Sequence, residues 1–145
     1  MNNGQVIATI GLALCMILCG FGSAFGLYKT GTAASGVLAE DGKKFSKVLV
    51  LSVLPATQGI YGFVLAIMKS SAIASITTTV AGWQVFAGAA ALSITGMVSA
   101  LLQAKTAVAA IMAVSKNESI SGKLILFPAM VETYAILALV ISIML

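Results

Sequence analysis

A single carboxylate lies inside the last and most apolar stretch of the chain, which reads FPAMVETYAIL from Phe127 to Leu137. A charged side chain near the centre of a bilayer costs about 2.5 to 3.5 kcal/mol on insertion scales, so such residues are rare and usually functional. Glu132 is therefore the first candidate for chemistry in this sequence. A carboxylate at that depth could bind a cation, carry a proton or bond to a neighbouring helix.

A second group of polar side chains occurs in the stretch LPATQGIYG, residues 54–62. Thr57 and Tyr61 are four residues apart, and Gln58 is three before Tyr61, so all three share one face of a helix. Pro55 removes one backbone donor and can free a carbonyl oxygen to act as a ligand inside the membrane. The segment thus offers an amide, a hydroxyl, a phenol and a carbonyl.

Gln103 adds a second amide, provided that the helix containing it continues to about Ser115. Counted from the lysine-rich or polar ends of their helices, Gln58, Glu132 and Gln103 lie at depths of roughly 16, 14 and 18 Å. These depths are compatible with one site. Carboxylate, amide and hydroxyl oxygens suit an alkali or other hard cation and do not suit a soft metal.

Two other interpretations of Glu132 remain open from the residues alone. The polar side chains could form a hydrogen-bonded cluster that holds the helices together, with Glu132 protonated. Glu132 could instead pair with Lys105, but Lys105 is two residues and about 200° of helical rotation from Gln103. Both can hardly face one site, so Lys105 and Lys29 are expected to point toward the opposite side.

Composition identifies the elements that must position these residues. The 145 residues are 60% hydrophobic and only 8% charged, which is too apolar for a soluble domain of this size. A spanning helix needs about 20 apolar residues, and no stretch shows the alternation of a membrane barrel. The sequence predicts an all-α membrane protein with four transmembrane helices. Their apolar cores are Val6–Leu27, Val48–Met68, Val80–Leu102 and Leu124–Leu145.

The lysines predict the orientation in the membrane. The net charge is +4, and seven of the 8 basic residues lie between the first and second or the third and fourth apolar cores. Only Lys69 lies on the other side. By the positive-inside rule, both lysine-rich loops face the cytoplasm and both termini face out. This charge is compatible with contact with anionic lipid. The sequence contains no basic stripe with interleaved aromatic residues, the pattern that would indicate nucleic-acid binding.

The chain is predicted to be a duplicated helical hairpin, with residues 1–72 forming the first and 73–145 the second. Sliding one half over the other pairs Lys29 with Lys105 and, with a small change of register, Pro55 with Pro128. The repeat is parallel, because each half has an even number of spans. Glu132 aligns with Gly59, so only the second hairpin carries a membrane carboxylate.

Small residues follow the two odd-numbered helices at a spacing of three to four. Such stripes let helix backbones approach closely in a membrane. They predict either an ordinary tight bundle or a ring in which spans one and three crowd together at the inside. Cys15 and Cys19 belong to this stripe and are predicted to be packing residues, since no other Cys or His could complete a metal site. The stripes are Gly11, Cys15, Cys19, Gly22 and Gly26, and Ala89, Ser93, Met97, Ala100 and Ala104.

The segments LPATQGIYGF and MVETYAIL, within this duplicated layout, closely resemble the rotor-ring proteolipid of bacterial V-type sodium ATPases. The resemblance implies a homo-oligomeric ring that carries one sodium ion, or alternatively a proton, per chain past a stator, driven through a central stalk by ATP hydrolysis elsewhere. It also implies that the main-chain carbonyl of Leu54 joins four side chains in holding the ion and that Tyr61 braces the carboxylate. Those four residues are Glu132, Gln103, Gln58 and Thr57.

Two other functions compete with this interpretation. A small proton-coupled multidrug exporter also has four spans and one membrane glutamate, but a duplicated hairpin with the carboxylate in the last span fits it poorly. A purely structural four-span protein would not need polar residues at one depth. The chain has no phosphate-binding loop, so it is predicted to be a non-catalytic carrier of ions and not the part that hydrolyses ATP.

Overall fold

The computed structural model describes residues 1–145, and its helices form four segments long and apolar enough to cross a membrane. Two of them are continuous helices of 38 residues, α1 and α4, and the two returning segments are each built from shorter pieces. Short 3-10 turns connect the pieces. The bounds are α1 Asn3–Glu40, α2 Phe45–Val53, α3 Thr57–Ser70, α4 Thr79–Lys116, α5 Ser121–Leu124 and α6 Leu126–Met144.

A proline accompanies the interruption in each returning segment. Pro55 lies in the 3-10 turn Leu54–Ala56 between α2 and α3, because proline has no N–H to continue the helical bonding pattern. Pro128 lies in the first turn of α6, where a missing N–H is tolerated best. Each hairpin therefore has a proline within a few residues of a local change of backbone.

The two long helices pack directly against each other through their small residues. A Cβ added at Gly11 would lie 2.9 Å from the Cα of Phe86, and one at Gly22 would lie 2.8 Å from the Cα of Met97. Real Cβ atoms do not approach a neighbouring backbone that closely, so only glycine permits this contact. Every residue of the two predicted stripes is buried except Met97, which is partly buried.

Buried apolar residues form two layers, one on each side of the polar residues near the middle of the bundle. One layer contains Cys15, Cys19 and Leu65, and the other contains Val48, Leu51 and Ile111. Both cysteines are free and fully buried, in agreement with the predicted packing role. Helices α3 and α6 complete the bundle by packing on α1 and α4.

Polar contacts tie the hairpins together at both ends of the bundle. At the lysine-rich end, Lys47 forms an ion pair with Glu118 of the other hairpin, and the ammonium of Lys44 donates to the carbonyl of Ser115 at 2.8 Å. At the opposite end, the amide of Asn2 donates to the carbonyl of Ile76 at 2.7 Å. These contacts join the two hairpins at both ends of the bundle.

The prediction of an all-α protein with four apolar helices is confirmed. Gln103 is included in the predicted site on the condition that its helix continues to about Ser115, and α4 does continue to Lys116 without interruption. The division of the chain into units at residues 72 and 73 stays a prediction.

The close contact of α1 with α4 predicts different effects for two neighbouring glycines. Gly22→Ala places a Cβ against the backbone of Met97, so the helices must separate, and overpacking of this kind costs about 1 to 3 kcal/mol. Gly20→Ala is the control, because its Cβ would meet only the Met16 methyl at 3.8 Å. Unfolding by a denaturing detergent, followed by the fluorescence of the single tryptophan, Trp83, measures both. Equal stability of the two variants would contradict the packing described here.

Candidate cation site

The carboxylate of Glu132 is buried between α3, α4 and α6, with a residue exposure of 9%. The hydroxyl of Tyr61, on α3, donates to Oε1 at 2.5 Å. The amide Nε2 of Gln103, on α4, donates to Oε2 at 3.1 Å. Each carboxylate oxygen therefore has a donor from a different helix, which is what a polar group buried in an apolar medium requires.

Gln103 is held at both ends of its amide and is fully buried. Its Nε2 donates to the carbonyl of Pro128 at 3.1 Å as well as to Glu132. Its Oε1 accepts from Nε2 of Gln58 at 2.8 Å. A backbone carbonyl can only accept, so the contact with Pro128 fixes which end of the amide faces α6.

Gln58 continues the network toward the turn at Pro55. Its Nε2 also donates to the hydroxyl of Ser99 at 3.2 Å, while its Oε1 lies on the other side, 3.3 Å from the hydroxyl of Thr57. The single hydrogen of that hydroxyl is shared between this Oε1 and the carbonyl of Leu54, which lies at 3.0 Å. Three oxygens, from Leu54, Thr57 and Gln58, are thus gathered where the 3-10 turn meets α3.

The structure brings all six residues singled out from the sequence into one hydrogen-bonded network. It runs from the carbonyl of Leu54 to the carboxylate of Glu132, and every buried side-chain nitrogen or oxygen has a partner. Its acceptors are a carboxylate, two amide oxygens, a hydroxyl and a carbonyl. Such hard oxygen donors are the ligands that an alkali cation prefers.

Lys105 takes no part in this network. It is exposed and, together with Lys29, lines a separate cavity of about 510 Å³. The ammonium of Lys29 lies 5.4 Å from the centre of the Phe25 ring. The ion pairs in the structure involve Lys44 with Asp41 and Lys47 with Glu118, so Glu132 is not paired with a lysine.

The corresponding position of the first hairpin is filled differently. Gly59 aligns with Glu132, and its N–H donates to the hydroxyl of Ser23 at 2.7 Å. A Cβ at Gly59 would lie 3.1 Å from the side chain of Ser23, which leaves little space for a longer residue. The duplicated frame therefore holds one buried carboxylate network and not two.

Three contributors to the network were missed from the sequence: the hydroxyl of Ser99 and the carbonyls of Pro128 and Val131. Ser99 bridges Gln58 and the carbonyl of Val131, at 3.2 and 3.0 Å. One signal was available, since the repeat pairs Pro128 with Pro55 and Ser99 with Ser23. Nothing in the residue types indicated which partners these groups would find across helices.

One family profile and two known proteins match this chain over most of its length. The sequence profile of the ATP synthase C-subunit family matches the chain twice, over residues 10–69 and 86–145. The V-type sodium ATPase subunit K of Enterococcus hirae is 40% identical over 144 residues, covering 99% of this chain and 92% of that protein. The A-type ATP synthase subunit K of Methanocaldococcus jannaschii is 39% identical over 145 residues, covering 100% of this chain and 64% of that longer one. The chain therefore belongs to the ATP synthase C-subunit family, with two copies of the family's hairpin in one polypeptide.

Proposed function

We propose that this chain is the rotor proteolipid of a rotary ATPase and that it carries sodium across the membrane on Glu132. The observation that carries the proposal is the burial of this one carboxylate against a hydroxyl from α3 and an amide from α4. Membership of the family supports the rotor function. The named function of the Enterococcus hirae relative, a sodium ATPase, supports the choice of ion.

Sodium is proposed as the cargo, with the proton as the alternative. Its ligands would be the carboxylate of Glu132, the amide oxygens of Gln103 and Gln58, the hydroxyl of Thr57 and the carbonyl of Leu54, while Tyr61 braces the carboxylate. A proton needs only the carboxylate, so the further oxygens are what favour a metal cation. The network can admit an ion because amide and carbonyl oxygens keep a second lone pair when they accept one hydrogen bond.

Cargo binding would control whether the site can face lipid. The ionised carboxylate is costly in an apolar medium, and a bound cation makes the site neutral. An empty site would therefore stay at a polar stator, and a loaded one could leave it. Moving one charge across 100 mV costs about 2.3 kcal/mol, which ATP hydrolysis in other subunits would supply. The chain itself is proposed to be non-catalytic.

The proposed assembly is a homo-oligomeric ring. The small-residue contact between α1 and α4 makes this side of the bundle narrow, as the inside of a ring requires. The outer side would contact membrane lipid and the stator, and the polar loops at one end would contact the central stalk. Nothing in the charge distribution indicates a nucleic acid among the partners.

The protein is a multi-pass membrane protein, and the lysine-rich loops are proposed to face the cytoplasm with both termini outside. Lys43→Cys and Ala72→Cys test this, because both positions are exposed in loops and the native cysteines are fully buried. In intact cells a membrane-impermeant maleimide should label Ala72→Cys only. In inside-out vesicles it should label Lys43→Cys only, and the opposite pattern would reverse the orientation.

Glu132→Gln should abolish ion transport while the protein still inserts and assembles. The amide keeps the shape of the side chain and removes the charge that binds the cation. Glu118→Gln is the matched control, because its carboxylate lies in a surface ion pair, which contributes about 0 to 1 kcal/mol. Transport by reconstituted complexes measures both variants. Retained transport with Glu132→Gln would rule out the mechanism.

The choice of ion is tested by labelling with a carbodiimide, which attacks the protonated acid. Sodium should protect Glu132, and protection should need more sodium as pH falls, because proton and cation compete for one carboxylate. Gln103→Leu or Gln58→Leu should raise the half-protecting sodium concentration roughly tenfold or more, since each removes a ligand of a charged group. Gln84→Leu, at an exposed position of α4, is the control. Labelling that depends on pH but not on sodium would indicate a proton carrier.

A further inference from the structure

The hydroxyl of Ser99 lies where α3, α4 and α6 meet. Its side chain is buried, with a residue exposure of 5%. The hydroxyl donates to the carbonyl of Val131 at 3.0 Å and accepts from Nε2 of Gln58 at 3.2 Å. One hydroxyl therefore links the residue before Glu132 on α6 to an amide on α3.

These partners determine the orientation of the Gln58 amide. The carbonyl of Val131 can only accept, so it takes the single hydrogen of Ser99 and leaves a lone pair facing Gln58. Only the NH₂ end of that amide can meet a lone pair. The same end also faces Oε1 of Gln103, whose amide is fixed by the carbonyl of Pro128. The oxygen of Gln58 is consequently turned toward Thr57.

We propose that Ser99 is a positioning residue that holds the Gln58 oxygen toward Thr57 and thereby raises the affinity of the site for sodium relative to protons. The proposal rests on the sodium site described above. Without this hydroxyl one of the two hydrogen bonds of the NH₂ group is lost, and a rotated amide would present its NH₂ group to the cation. Neither Ser99 nor Gln58 bonds to the carboxylate of Glu132, which accepts from Tyr61 and Gln103, so loss of the Ser99 hydroxyl is expected to affect the bound cation more than the proton.

Other buried serines do not share this arrangement. The hydroxyl of Ser93, on the same helix as Ser99, donates to the carbonyl of Ala89 one turn earlier, at 2.7 Å. Ser23, the repeat mate of Ser99, accepts from the backbone of Gly59. Ser93→Ala is therefore a matched control, since it removes a buried hydroxyl from α4 without touching an amide of the network.

The experiment measures two quantities on the assembled protein in detergent. One is the sodium concentration that half-protects Glu132 from a carbodiimide at fixed pH, and the other is the pH midpoint of labelling without sodium. Ser99→Ala should raise the half-protecting concentration roughly fivefold, the ratio that corresponds to one lost hydrogen bond, and leave the pH midpoint unchanged. Ser99→Thr keeps the hydroxyl and should stay near wild type, as should Ser93→Ala.

A double-substitution cycle separates positioning from packing. If Ser99 acts through Gln58, then Ser99→Ala should change protection by less than about twofold once Gln58→Ala is present. The proposal is overturned if Ser99→Ala has no effect, if Ser93→Ala has the same effect, or if the Ser99→Ala shift persists in full beside Gln58→Ala. Wild-type protein that sodium does not protect would overturn the sodium site together with this proposal. Protected wild type with an unaffected Ser99→Ala overturns the positioning role alone and leaves the sodium site intact.

Discussion

A carboxylate buried in an apolar medium must find hydrogen-bond donors, and it obtains none from its own helix. Glu132 is bonded to a hydroxyl on α3 and an amide on α4, so three helices have to converge at one depth before its side chain is satisfied. Leaving such a group unpaired costs far more than most single contacts contribute. The height, spacing and local geometry of the helices can be understood from this requirement.

Convergence depends on two features of the backbone. Glycines on α1 allow it to contact α4 directly, which leaves the amide of Gln103 on the side of α4 that faces α6. A proline lies in each returning segment, and the carbonyls of Leu54 and Pro128 accept hydrogen bonds from the side chains of Thr57 and Gln103. Backbone oxygens in and beside the prolines therefore take part in the polar network.

Much of the fold and of the candidate site can be predicted from the sequence, because membrane helices are constrained by length, charge and local hydrogen bonding. The four spans followed from apolar length, and the continuation of α4 past Leu102 was the condition for including Gln103. Depth, helical face and family resemblance predict the six site residues, and the structure brings them together. That they bind sodium stays a proposal. Ser99 was missed because a serine in a helix usually bonds to its own backbone, as Ser93 does, and only packing reveals a partner across helices.

One cation is expected to bind per chain, at Glu132. Equilibrium binding of radioactive sodium to the purified protein tests this most directly, since it counts ions without requiring rotation or transport. About one sodium ion per chain is expected for the wild type, with competition by protons as pH falls and no binding to Glu132→Gln. Binding that survives Glu132→Gln, or no saturable binding to the wild type at any pH, would contradict the proposed site.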